Sequence, residues 1–507
     1  MVTGNNATVT LADRTGVRYG TPMNDATRAL RVTAVNHAAI APKGAYVLYW
    51  MIGARRTTWS FALDHAVTTA KQLDRPLVVF EPLRVGYKWA SDRFHAFVMQ
   101  GMEDNAKRFA AKGITYFPYI EPEPDADKGL LAALAMRACC VITDEQPGFF
   151  LPRMVAAAAK TLSVRVEQVD GNNLLPLRAV DKPYLTAMSY RRELQRSLAP
   201  HLLDFPSADP LARLPKGLKD AELPPLAWKS ATDLSKLPID HRVAPVSYRG
   251  GSATAADTLE EFLEQKLERY AEDRSNPDND PSSGLSPYLH FGHISEHEIV
   301  QRVFDREKWS PANLAGAKVT GRREGWWGMS AASEAFLDEL VTWRGLGHVF
   351  CHHEPKAGTF ASLPAWAQKT LTDHASDPRP ELYTREQLER AATGDHVWNA
   401  AQRQLLTEGR IHNYLRMLWA KKILEWSPSP RIAFDTLVEL NNKYSVDGRD
   451  PNSNSGISWT LGLFDRPWGP IRPIFGTIRY MSSTATVKKL DIKNYLARWS
   501  GRQLSLI

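Results

Sequence analysis

The stretch WNAAQRQLLTEGRIHNYLRMLWAKKILEW (398–426) decides how the chain reads; a Pro-broken turn and a short helix then lead to LNNKYSVDGRD (440–450). Its apolar residues recur at helical spacing, yet it carries three tryptophans, paired acids and bases, and asparagines set among apolar neighbours. Polar groups in such a setting cost free energy unless a partner satisfies them. Two readings stand: a packed helical core with solvated faces, or a helical core built around a ligand with hydrogen-bonding edges. Trp419 and Trp426 share a helix face, about 10.5 Å apart at 1.5 Å rise per residue. With Trp398 in the preceding helix they make a row of rings, for packing or for redox traffic between surface and interior. Arg416 and Asp447 are placed to form a buried ion pair, which is costly to break.

Working outward, strand signals nearly vanish after about Thr258. Leu259, Phe262, Leu263, Leu267 and Tyr270 fall at i, i+3, i+4, i+8 and i+11, one face of a helix. Further helices are expected over 295–305, 331–343, 385–392, 396–406, 411–426 and 430–441, so 257–507 reads as an all-α domain. Upstream, 174–256 is rich in proline and reads as a long connector over the surface of both domains, with one helix over 184–197. From Ala45 to about Val169, five apolar β runs (46–50, 77–80, 114–120, 140–142 and 164–169) alternate with helical stretches. That pattern predicts a doubly wound, Rossmann-like parallel sheet over 43–173. No Gly-x-Gly-x-x-Gly follows the first strand and no phosphate loop occurs, which weakens a dehydrogenase or kinase reading. Residues 1–42 read as a polar, loosely ordered extension.

At 507 residues the chain is long enough for two or three domains. Its 43% hydrophobic and 23% charged content is that of a soluble globular protein, with no transmembrane run and no signal-peptide pattern. Cys139, Cys140 and Cys351 form neither a disulfide framework nor a zinc spacing, so a reducing, cytoplasmic setting is expected and no metal. A net charge of +7 permits a polyanionic partner. Basic pairs stand at Arg191–Arg192, Arg322–Arg323, Lys421–Lys422 and Lys488–Lys489, several near aromatics, the combination nucleic-acid grooves use. In SSGLSPYLH (282–290), small hydroxyl residues bracket a glycine before a helix. This is either an ordinary capped turn or a phosphate cradle.

The segments SSGLSPYLHFGHIS (282–295), the opening stretch, LNNKYSVDGRDPNSNSG (440–456) and DRPWGPIRPIFGTIRYMSS (465–483) resemble the class II cyclobutane pyrimidine dimer photolyases. YVLYWM (46–51) and KWASDRFHAFVMQGM (88–102) are similar to the same family, and the likeness runs in order from about Ala45 to about Arg498. The resemblance implies an FAD enzyme in which the light-excited, reduced flavin lends an electron to a flipped-out pyrimidine dimer in UV-damaged duplex DNA. Carried over by motif, Tyr270 and Ser282, Ser283, Gly284, Leu285 and Ser286 would hold the FAD phosphates and ribityl chain. Asn413, Arg416, Asp447 and Asp450 would line the flavin, and Asn441 would face its N5. Trp419, then Trp398, then Trp426 would relay electrons during photoreduction. Glu339, Trp343, Met417 and Trp459 would form the lesion pocket, and Arg274, Asn276, Arg466 and Arg479 would contact DNA. The chain departs from type at Gly345, where the family usually has Glu, and at Ser275. MIGARRTTW (51–59) also differs, which leaves open an antenna chromophore such as 8-hydroxy-5-deazaflavin. A monomer is expected, and the competing function is a cryptochrome-like photoreceptor on the same scaffold.

Overall fold

The computed structural model describes residues 23–218, 220–314 and 316–501. Six strands form one sheet: β1 (Val32–Ala34), β2 (Tyr46–Trp50), β3 (Leu77–Leu83), β4 (Thr115–Ile120), β5 (Ala138–Glu145) and β6 (Arg165–Asp170). Their order is β1-β6-β5-β2-β3-β4; β2 to β6 pair in parallel, and β1 runs antiparallel at the edge. The central strand is apolar at every position because both faces are covered. Val47 and Tyr49 pack on one side with α2 (Phe61–Leu73) and α3 (Asp92–Lys112). Tyr46, Leu48 and Trp50 pack on the other with α4 (Leu130–Ala135) and α5 (Leu151–Thr161). The doubly wound expectation holds.

Two expectations change. Of the stretch read as a loose extension, 1–22 lies outside the described residues, but 23–42 is structured. The Asn24 side chain caps α1 (Asp25–Arg31), accepting the Thr27 N–H at 2.8 Å, and β1 follows. Buried Arg31 anchors this segment by donating to the carbonyls of Asp170, Asn173 and Leu174. The connector, too, is not confined to the surface. Leu174, Leu177, Leu202 and Phe205, and Tyr190 and Leu194 of α6 (Ala187–Ser197), are buried in the helical core. Beyond Phe205 it crosses the sheet domain, with Leu211 and Leu214 on one face and Leu223, Leu226 and Trp228 on the other.

The helical part shares a single apolar core. The elements that build the site are α7 (Ser252–Glu261), α8 (Ser286–His290), α9 (Glu296–Glu307), α10 (Ala331–Leu337), α11 (Arg344–His353), α12 (His396–Glu408), α13 (Asn413–Trp426), α14 (Pro430–Tyr444) and α15 (Pro451–Thr460). The helix expected over 331–343 is α10 continued through a π-helical stretch, Asp338–Trp343, into α11. Arg93 of α3 ties the layers together. It donates to the carbonyls of Ala244, Leu405, Leu406 and Tyr444, the last three at the C-terminal ends of α12 and α14.

Candidate functional site

A cavity of about 710 Å³ opens within the helical domain, inside the size range of cofactor sites. The loop of Ser282, Ser283, Gly284, Leu285 and Ser286 forms one wall, with Gly284 at a positive φ of 69° that suits glycine. The Ser282 hydroxyl donates to Asp280 at 2.6 Å, and Ser283 Oγ accepts the Leu285 N–H at 3.3 Å. Asn413, Arg416 and Met417, all on α13, line the next wall. Asp447 lines the cavity from the loop between α14 and α15, and its carboxylate accepts the Ser445 hydroxyl at 2.6 Å and faces Arg416 at 3.9 Å. That loop needs glycine at 448, since a Cβ there would lie 2.5 Å from the Asn441 carbonyl oxygen.

Glu339, Trp343 and Trp459 line the same cavity. Glu339 and Trp343 sit four residues apart on the π-helical stretch, so both side chains reach the same space. Burial raises the Glu339 carboxyl pKa, opposed by the charge of Arg274, with which it forms an ion pair. Expected on the DNA side, Arg274 therefore meets Glu339 in this structure and lies over the Tyr270 ring at 6.0 Å. Outside Trp459 the cations and rings interleave. Arg479 lies 5.4 Å from the Trp459 ring and 4.0 Å from Trp468, and Arg466 lies 4.3 Å from the other pole of that stack, Trp468. Asp465 pairs with Arg479 at 3.1 Å.

Behind the cavity wall the three tryptophans are buried in a chain. Trp419 and Trp398 are near-parallel (4°) with centroids 6.5 Å apart, and Trp398 meets Trp426 edge-on at 5.5 Å. The order is thus Trp419, Trp398, Trp426. The Trp419 indole N–H donates to Gln402 and that of Trp398 to the Trp419 carbonyl, which fixes both rings.

Besides the three tryptophans, Arg466 and Arg479, four more expected site residues stand apart from the cavity lining. Tyr270 packs its ring against those of Phe262 and Phe336. Asn441 is buried one layer back, its amide donating to Gly448, Ser453 and Asn442. Asp450 caps α15 through the Asn452 N–H at 2.8 Å and pairs with His290 at 3.3 Å. The Asn276 side chain accepts the Asp278 N–H within a turn. Sequence reasoning passed over Tyr248, Thr258, Lys266, Arg410, His412 and Asn452, which also line the cavity. Only Arg410 and His412, flanking Asn413, had a local signal, being polar residues inside the opening stretch. Among the described residues no cluster of three or more His, Cys, Asp or Glu could hold a metal.

A doubly wound sheet domain followed by a helical domain around one large cavity defines the class: the photolyase–cryptochrome fold. Solved structures of a bacterial class III photolyase from Agrobacterium tumefaciens (TM-score 0.66, 18% identity, covering 90% of this chain and 86% of that one) and of a Synechocystis cryptochrome (0.65, 16%, 90% and 88%) are similar to it. No family model matches the chain. Sequence similarity goes further. The chain is 34% identical over 462 residues to a deoxyribodipyrimidine photo-lyase of Methanothermobacter thermautotrophicus (90% of this chain, 95% of the relative), and 31% identical over 461 residues to one of Arabidopsis thaliana (89% and 88%). The chain belongs to the photolyase/cryptochrome family.

Proposed function

We propose that this chain is a light-driven DNA-repair enzyme, a deoxyribodipyrimidine photo-lyase that splits cyclobutane pyrimidine dimers. One observation carries the reading: Asn413, Arg416, Asp447 and the 282–286 loop line the same cavity as Glu339, Trp343, Met417 and Trp459. A cofactor held by the first set and a base held by the second would share one cavity. The donors and volume fit FAD, with Lys266 and Arg410 as cations for its diphosphate and Asn413, Arg416 and Asp447 for the ring edge. Bound and reduced, FAD supplies the photoexcited electron that opens the cyclobutane ring.

The protein's own residues bind and orient. A base inside a duplex must be extruded into a pocket, which calls for stacking walls and a polar group at the base edge. Trp343, Trp459 and Met417 supply the walls. Glu339 supplies the polar group once Arg274 leaves it for a DNA phosphate. Arg466 and Arg479, splinted by Trp468, meet the DNA beside the pocket. Trp419, Trp398 and Trp426 conduct electrons inward for photoreduction. Tyr270, Asn441 and Asp450 act at one remove: Tyr270 seats Arg274, Asn441 braces the Gly448 loop, and Asp450 fixes the start of α15. Asn276 is not needed for this account. The motifs support class II; we propose a monomer, with a sheet domain that takes in β1 as well as 43–173, a connector over 174–256 and a helical domain over 257–507.

An antenna is not part of the proposal. The pocket at the junction of the sheet and helical domains, lined by Arg55, Tyr87, Phe149, Phe150 and Arg449, measures about 110 Å³. Ligand pockets start at about 300 Å³, so this pocket by itself is smaller than an 8-hydroxy-5-deazaflavin needs.

The test is to incubate FAD-loaded, reduced protein with thymine-dimer DNA under blue light and in the dark, and to measure recovered thymine. Light-dependent recovery is expected. Full FAD occupancy with light-driven flavin redox change and no recovered thymine would instead identify a photoreceptor.

A further inference from the structure

Two basic pairs far apart in the sequence, Arg191–Arg192 and Arg322–Arg323, meet at the rim of the cavity. Within the first pair Arg191 is spent on structure, pairing with Asp338 at 2.7 Å and donating to the Gly321 carbonyl at 3.0 Å. One turn further along α6, the Gln195 side chain accepts the N–H groups of Thr320 and Gly321, at 3.0 and 2.7 Å, and donates to the Arg322 carbonyl at 2.8 Å. On the far side of the loop, Glu334 accepts the N–H groups of Gly325 and Gly328, and Trp326 and Trp327 are buried. The loop is thus clamped at both ends, while Arg192, Arg322 and Arg323 stay exposed. Among the described residues the Arg322 guanidinium pairs with no acid, and Arg323 contacts only Glu324, at 2.8 Å. Arg323 also lines the cavity, as do Asp338 and Glu339, whereas Arg479 lies over the Trp459 ring at 5.4 Å and is not itself among the lining residues.

We propose that Arg192, Arg322 and Arg323 form a second phosphate clasp, gripping the backbone of dimer-containing duplex on the flank of the pocket away from Arg466 and Arg479. The proposal rests on the repair reading above. Guanidinium forks match phosphate geometry, and a pre-ordered loop loses little entropy on binding. The hydrogen-bond framework under the loop accounts for why so polar and glycine-rich a segment is held in one shape.

The test uses full-length, FAD-loaded protein, in the dark, with a duplex carrying one thymine dimer, titrated between 50 and 200 mM salt. Each phosphate contact contributes about 0.9 to the slope of log K against log salt. The variant R192Q/R322Q/R323Q is therefore expected to give a slope shallower by about 2 to 3, with at least a ~10-fold affinity loss at low salt. Its flavin content and melting temperature report on folding, and Arg322→Glu, at one exposed site, gives the same direction if the triple variant folds poorly. In the wild type, trimming the duplex on one flank of the dimer should reproduce the loss, and in the variant it should not. An unchanged slope beside a wild type that binds dimer duplex normally would overturn the clasp alone. A wild type with full FAD but no preference for dimer-containing over undamaged duplex would overturn the repair reading, and the clasp with it.

Discussion

Lys421 is the residue whose setting sequence pattern conceals. It follows Met417 by one helical turn and is buried, donating to the Thr460 carbonyl at the end of α15 and lying 5.9 Å from the Trp459 ring. Burial lowers its pKa to about 7, with Asp465 opposing and Arg479 adding to the shift. Its unfolded value is about 10.4, so between roughly pH 7 and 10 the unfolded chain holds a proton that the folded chain lacks. Folding stability should therefore rise with pH across that window and fall as pH drops back through it. Measured by urea denaturation, the stability of the wild type relative to Lys421→Met should grow by up to about 1.4 kcal/mol per pH unit from pH 7 to 9. A pH-independent difference would refute the depressed pKa. Gly345 has a similarly local explanation. A Cβ at 345 would lie 2.7 Å from the Tyr190 hydroxyl, so tyrosine at 190 fills the space a larger residue would take. Gly345→Ala is expected to cost about 1–3 kcal/mol by overpacking, and adding Tyr190→Phe should recover part of it in a double-mutant cycle. Equal costs with and without the hydroxyl would exclude this contact as the cause.

At the scale of elements, the helix pair α12–α13 holds the proposed electron path. Trp398 comes from one helix and Trp419 and Trp426 from the other, and the indole–carbonyl bond from Trp398 to Trp419 locks the helices at that spacing. Trp419→Phe is expected to slow flavin photoreduction by more than ~10-fold, about 1.4 kcal/mol in barrier, while chemically pre-reduced enzyme still repairs. Normal photoreduction in that variant, followed by flavin absorbance under illumination, would remove Trp419 from the path. The π-helical stretch Asp338–Trp343 is the second element that matters, since it carries both Glu339 and Trp343, four residues apart and both lining the cavity.

Across the whole molecule, the sheet domain holds the ends of the cavity-forming helices. Arg93 satisfies carbonyls at the C-termini of α12 and α14, where burial lowers its pKa to about 10, and Arg449 lies 3.6 Å over the Phe94 ring. Arg93→Met would strand those carbonyls in a buried interface. A loss of at least about 3 kcal/mol is expected, together with FAD release at a lower temperature than in the wild type, read by flavin fluorescence during heating. Flavin release unshifted from the wild type would show that the cavity does not depend on this contact. Among the described residues no helix is long and apolar enough to cross a membrane.

Much of this was legible in the sequence because it depends on local periodicity. Strands buried on both faces read as short apolar runs, and one-sided helices read as 3.6-residue repeats, so the two-part fold and the five parallel strands were accessible. So was the tryptophan row, since Trp419 and Trp426 are neighbours on one helix face. The edge strand β1 was not, because three residues carry too little pattern and are held by pairing with β6 alone. The partners of polar groups were not accessible either. Lys421 and Lys422 look alike in sequence, yet one is buried under Trp459 and the other pairs with Glu425 at 2.8 Å. Arg274 was matched to DNA but meets Glu339, and Arg191 and Arg322 converge although far apart in the chain. Burial, pairing and charge are set by what lies across a contact from another element, and only the tertiary structure decides that.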